Sequence, residues 1–141
     1  SMSTILVNTL TGTSTAGSIA VTGEGNSTTT NLQQGLAKSW VNFNGTGTAA
    51  TRDSFNHASL TDNGTGDFTL AYTSSFGNVN YASSVYTSID ATAGFNTSQF
   101  GSSTKAAANI RVTIGYDGST NGTLTAYDTA ANEMHLMGDL A

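Results

Sequence analysis

Two histidines, His57 and His135, nine carboxylates and no cysteine bound the chemistry this chain can do. Without cysteine there is no thiol nucleophile, no disulfide and no thiolate metal site. No Gly-x-Ser-x-Gly elbow, His-Glu-x-x-His pair or phosphate-binding glycine loop occurs. Asp53, Asp62 and Asp67 are the closest carboxylate cluster, and two of them at the right separation would make a glycosidase acid/base pair. Each stands beside Gly, Asn or Ser, however, where aspartates bond to their own backbone in turns, and turn chemistry outweighs catalysis. The run from Asp62 to Asp67 has oxygen ligands and glycines loosely like a Ca²⁺ loop, but lacks the alternating acids and the distant Glu of an EF-hand. The segment from Asp117 to Asn121 is no better. A single histidine per segment is ordinarily structural, although a trimer axis could gather three copies of His57 or His135 around one ion. The expectation is a protein that is not an enzyme and holds no cofactor or metal.

Aromatic side chains are the other candidates for contact. Trp40 is the only tryptophan, and beside Val41 and Phe43 it is most simply a core or interface anchor; stacking on a sugar ring is the sharper alternative. Tyr72, Tyr81, Tyr116 and Tyr127 divide in the same way. Tyr86 has the opposite parity to Val85 and Thr87 and is expected to face outward. With Phe95, Phe100, Asp117 and Asn121, it forms the set of candidate ligand or host contacts. Asn-x-Ser/Thr occurs five times, at Asn26, Asn44, Asn63, Asn96 and Asn121, against about four by chance, so the motif says nothing of secretion.

These residues must be held by a chain of unusual composition. Of its 141 residues only 9% are charged, and 25 Thr, 17 Ser, 13 Asn and 16 Gly make up about half of it. Thr favours strands, and Asn and Gly favour the turns between them, whereas long helices want the Glu and Lys that are scarce here. The 37% hydrophobic share predicts a modest core, or one completed by a neighbouring copy. The net charge of -5 comes without any basic run, which excludes a phosphate-neutralising surface for nucleic acid. No apolar stretch approaches the roughly 20 residues of a membrane-spanning helix, and the start lacks the basic and apolar blocks of a signal peptide. Proline is absent, so the edge strands it commonly guards need other protection.

Ser1 and Met2 read as a tag-removal scar and the start. Residues 3–38 read as an arm plus a short helix that drive oligomerisation. Ile5–Val7 and Ile19–Val21 form short apolar runs too small to bury themselves. Asn26 to Lys38 is the best helix candidate: Asn26 or Ser27 would cap it, and Leu32 and Leu36 share a face at i,i+4. Residues 39–141 read as strands and turns. Strands are expected at Trp40–Phe43, Ser54–Leu60, Phe68–Tyr72, Val79–Ile89 with a bulge at Ser83-Ser84, Ile110–Tyr116, Leu124–Tyr127 and Met134–Leu140. Turns are expected at Asp62-Asn63-Gly64 and over 117–122, and a long loop over 91–106. The predicted fold is mainly β, an antiparallel β-sandwich or partly open barrel with a short N-terminal helix and an oligomerising arm.

One stretch carries more. Leu36-Ala37-Lys38-Ser39-Trp40-Val41-Asn42-Phe43-Asn44-Gly45-Thr46-Gly47-Thr48, followed by Arg52-Asp53-Ser54-Phe55-Asn56 and Leu60-Thr61-Asp62-Asn63-Gly64-Thr65-Gly66-Asp67-Phe68-Thr69-Leu70, resembles a module of bacteriophage tail fibres and other virion appendages. The opening Ser3-Thr4-Ile5-Leu6-Val7-Asn8-Thr9-Leu10 is similar to the start of such proteins, particularly from marine phages. The stronger likeness covers residues 36–73. It implies a structural protein of the virion, made in the host cytoplasm and assembled as a homotrimer with other virion proteins. Contact with the host surface is a further implied role. A receptor-binding tip that holds a host cell-surface glycan is the alternative reading, and a polysaccharide depolymerase is the less favoured one, since nothing in the sequence supports it. The likeness brings no catalytic residue. Ile5, Val7, Ile19, Val21, Leu32 and Leu36 are the expected oligomer contacts.

Overall fold

The structure, a computed structural model, describes residues 3–88, 98–118 and 123–141. The chain divides into two compact units, Ser1–Leu36 and Ala37–Ala141. It is mainly β, with antiparallel pairing throughout, and no helix occurs among the described residues.

The first unit is a small hairpin with an arm. Strand β1 (Ala20–Thr22) pairs with β2 (Thr29–Asn31) in the register Ala20↔Asn31 to Thr22↔Thr29. The helix expected over 26–38 is therefore corrected to a strand and one turn. Three consecutive β-branched residues, Thr28 to Thr30, favour extended backbone, and Asn26 takes φ 61 in the hairpin loop, which ends any helix there. The capping residue is Asn31 instead: its Oδ1 accepts the Gln34 backbone N–H at 3.2 Å. Gly35 N–H then donates to Asn31 O, closing a single turn at 3.3 Å.

The second unit contains two sheets. In chain order its strands are β3 (Ser39–Asn44), β4 (Ala50–Phe55), β5 (His57–Gly64), β6 (Asp67–Tyr72), β7 (Ala82–Ser88), β8 (Ser98–Lys105), β9 (Asn109–Gly118), β10 (Thr123–Ala126) and β11 (Ala131–Met137). One sheet has the order β4-β3-β11-β7; the other runs β10-β9-β6-β5, with β8 also paired to β9. Neither closes on itself. Period-2 alternation places Val41 and Phe43 of β3, and Met134 and Leu136 of β11, on the buried face of the first sheet. The same pattern buries Phe68, Leu70 and Tyr72 of β6 and Ile110, Val112 and Ile114 of β9. Together with Phe76 and Tyr81 these residues form one core. Phe43 and Phe68 meet across it edge to face, with centroids 5.3 Å apart, a geometry worth about 1 kcal/mol for the pair beyond the burial of the two rings.

Several element boundaries differ from the sequence reading. The strand expected over Ser54–Leu60 is two strands that meet at Asn56, which takes φ 53. Asp62-Asn63-Gly64 ends β5 rather than forming the turn, which falls at Thr65-Gly66. Gly66 has φ 64, and a Cβ there would lie 2.2 Å from the Ile114 carbonyl oxygen, so the position admits only glycine. The strand expected from Val79 begins at Ala82, and its pairing with β11 is continuous through Ser83-Ser84, without the expected bulge. The final strand is Ala131–Met137, and Leu140 forms an isolated bridge with Phe76. Strand β8 crosses the expected loop over 91–106, and Asp117 pairs with Leu124 as part of β9 rather than opening a turn. A polar strand such as β8 shows no apolar period of its own; its register comes from β9.

Candidate functional site

Two places gather the residues that could act on something outside the chain. The first lies in the Ser1–Leu36 unit. Val7, Asn8, Thr9, Leu10, Ile19, Leu32, Gln33 and Leu36 line one depression of about 310 Å³. Turning at 32–35 carries Leu32 and Leu36 to the same side, so the i,i+4 relation expected of a helix survives in one turn. Four of the six expected oligomer contacts, Val7, Ile19, Leu32 and Leu36, thus line one surface; Ile5 and Val21 are not part of that lining. The arm is strongly exposed in the single chain, with Ile5 at 80% and Leu6 at 89% of full accessibility. Leu6 and Leu10 belong with the exposed apolar set, although neither was among the expected contacts; the signal for Leu6 was available in the continuous run from Ile5 to Val7.

The second place is the outward face of the β4-β3-β11-β7 sheet. Because Val41 and Phe43 point into the core, Trp40 and Asn42 must point out. Trp40 is 36% exposed in the single chain, which corrects the core half of its reading and leaves interface anchoring and sugar stacking as the alternatives. Antiparallel register then sets two rows of side chains across the sheet. Phe55, Trp40, His135 and Ser84 form one row; Asp53, Asn42, Glu133 and Tyr86 form the next. Neighbours within a row are about 5 Å apart, close enough to act together. Tyr86 is outward, as its parity predicts, at 60% exposure, and Phe55 is exposed at 53%.

This face carries an ordered polar line. Arg52 Nη1 donates to Asn42 Oδ1 at 3.1 Å, and its Nη2 donates to the Ala130 carbonyl at 2.5 Å. Asn42 Nδ2 donates in turn to Glu133 Oε1 at 3.1 Å. The amide orientation of Asn42 is fixed from both ends, since its oxygen must face the guanidinium and its nitrogen the carboxylate. Trp40, Val41, Asn42, Glu133, Met134 and His135 enclose a shallow depression of about 310 Å³ beside this line.

The carboxylates considered for catalysis are engaged locally. Asp53 Oδ1 accepts the Ser54 N–H at 2.8 Å, and Asp62 Oδ1 accepts the Gly64 N–H at 2.9 Å. Asp67 takes a bidentate contact from Arg111, at 2.8 Å from Nε and 2.5 Å from Nη2, which holds its carboxyl below the usual carboxylate range. His57, at the start of β5, has Nε2 3.1 Å from Thr51 Oγ1, and burial lowers its pKa. His135 lies on the outward face of the other sheet. Among the described residues, no group of three His, Cys, Asp or Glu stands together to hold a metal ion. Of the other expected contacts, Phe95 and Asn121 lie outside the described residues. Phe100 and Asp117 are placed as backbone in β8 and β9, and their side chains lie outside the described set.

Neither a family model, nor a curated protein, nor a solved structure matches the chain.

Proposed function

We propose that this chain is a non-catalytic structural module of a bacteriophage virion appendage, of the tail-fibre kind, that assembles as a homotrimer. The second unit is read as an antiparallel β-sandwich carried by such an appendage, and the first as the part that joins the copies. The observation that carries this reading is the apolar arm. Ile5, Leu6, Val7, Leu10, Val21 and Leu36 are all more than half exposed in the single chain. Large apolar groups left in water each cost about 1.5–3 kcal/mol relative to burial. A chain with only 9% charged residues has little charge with which to keep such a surface from associating. Three arms brought together along one axis would cover one another's Val7, Leu10, Ile19, Leu32 and Leu36, and would close the edge that β1 and β2 leave open. The likeness of residues 36–73 to appendage modules supplies the threefold state and the virion location, with other virion proteins as neighbours.

Light scattering after size exclusion tests the assembly. The expected mass is three times the 14.4 kDa chain, with a trimer band that survives detergent until heated. A stable monomer at micromolar concentration would overturn the proposal.

A further inference from the structure

We infer that the outward face of the β4-β3-β11-β7 sheet is a binding site for a neutral saccharide, with Trp40 as the stacking wall and Asn42 and Glu133 as the hydrogen-bonding groups. The inference goes beyond the assembly reading and does not depend on it. Three features of the face lead to it.

The first is the pairing of an aromatic wall with polar groups at ring distance. A pyranose has one apolar face of C–H groups and a rim of hydroxyls. It is recognised where an indole or phenol meets the first, and a fixed carboxylate or amide meets the second. Trp40 stands next to Asn42 on the same side of β3, and His135 next to Glu133 on β11. The depression they share, about 310 Å³, is at the small end for ligand sites and has room for one or two sugar rings.

The second feature is preorganisation. Glu133 accepts from Asn42, and Asn42 is held by Arg52, which is itself anchored on the Ala130 carbonyl. A carboxylate with one oxygen engaged in this way keeps lone pairs for vicinal hydroxyls, and little ordering remains to be done when a ligand arrives.

The third is charge. Asp53 and Glu133 outnumber Arg52 on this face, in a protein whose net charge is -5. Uronates, sialates and phosphorylated sugars are repelled, and a neutral ring is the complementary ligand. A buried partner protein fits this face less well, because it would strip water from the charged side chains of Arg52, Asp53 and Glu133.

Trp40 is the only tryptophan, so intrinsic emission of the full chain reports on this site alone. The experiment screens the chain on an array of neutral and acidic oligosaccharides. It then titrates chitobiose, maltose, lactose and cellobiose against Trp40 emission and by calorimetry. A saturable change with at least one neutral saccharide, weakened at least tenfold in Glu133→Gln and in Asn42→Ala, is the expected result. Binding by calorimetry should also be lost in Trp40→Ala and retained in Trp40→Phe. Circular dichroism of each variant separates loss of the site from loss of the fold. Three results would overturn the inference: silence across the array and all four titrations, binding confined to acidic sugars, or binding unaffected by Glu133→Gln and Asn42→Ala. Trp40 emission that follows protein concentration and ignores saccharide would assign the face to a second copy instead.

Discussion

Asn56 shows how one side chain can turn a strand into two. Its backbone at φ 53 lets the chain leave β4 and enter β5, and asparagine tolerates that region better than any residue but glycine. Its amide then ties three segments together. Nδ2 donates to the carbonyls of Lys38 and Ser74, each at 3.0 Å, and Oδ1 accepts the Ser74 N–H at 2.6 Å. Asn56→Ala loses these bonds and strains the backbone, for an expected cost of about 2–4 kcal/mol. Asn56→Gly keeps the conformation and loses only the bonds, for about 1–2 kcal/mol. Urea denaturation of the two variants separates the contributions; an equal loss in both would mean that the backbone conformation contributes nothing. From the sequence alone Asn56 was invisible, because Phe55 and Leu60 carry enough apolar character to read as one strand. Trp40 was legible in a different way. Its alternation with Val41 and Phe43 puts it on the outward face, where the interface anchor and the stacking surface remain of the readings its size allowed.

Between elements, a small tyrosine cluster fixes the path from β6 to β7 and to the turn joining β8 and β9. Tyr72, the last residue of β6, donates its hydroxyl to that of Tyr81 at 3.0 Å, and Tyr81 reaches the carbonyls of Ala106 and Asn109 at 3.1 and 3.2 Å. Phe76 stacks on Tyr81 at 4.3 Å, and Lys105 Nζ donates to the Tyr81 carbonyl at 2.7 Å. Burial raises the pKa of both phenols above the ordinary value. The folded state therefore holds these protons after the unfolded chain has released them. Their contribution is complete below about pH 10 and is lost as pH rises above it. The urea midpoint is expected to hold to about pH 9.5 and then fall, and Tyr72→Phe should make the alkaline fall shallower. An unchanged slope in that variant would mean that other groups set the alkaline limit. Period-2 patterns made β6 and β9 readable in advance. Strand β8 was not readable, because Ser98-Gln99-Phe100-Gly101-Ser102-Ser103-Thr104 offers one large apolar residue and borrows its register from β9. The Leu32–Leu36 spacing was real, but three threonines before it left room for only one turn.

At the scale of the whole molecule, the division at Leu36 separates the exposed apolar arm from the described core. Among the described residues, the twelve that form the core lie between Val41 and Leu136, all in the second unit. The first unit contributes exposed apolar groups and a hairpin whose six strand residues are all exposed. Composition made the β character legible, since Thr, Asn and Gly dominate. It left the division of labour open, because apolar residues in the arm look the same whether a chain buries them itself or offers them to another copy. Removing residues 3–36 discriminates between these. The remaining 37–141 chain is expected to keep its far-UV spectrum and to melt within a few degrees of the intact protein's core transition, because no core contact is removed. Its mass by light scattering should fall to that of one chain. A shortened chain that stays trimeric would move the association surface to the sheets, where the Trp40 face is the first place to look. One that fails to fold would mean that the arm completes the core rather than the assembly.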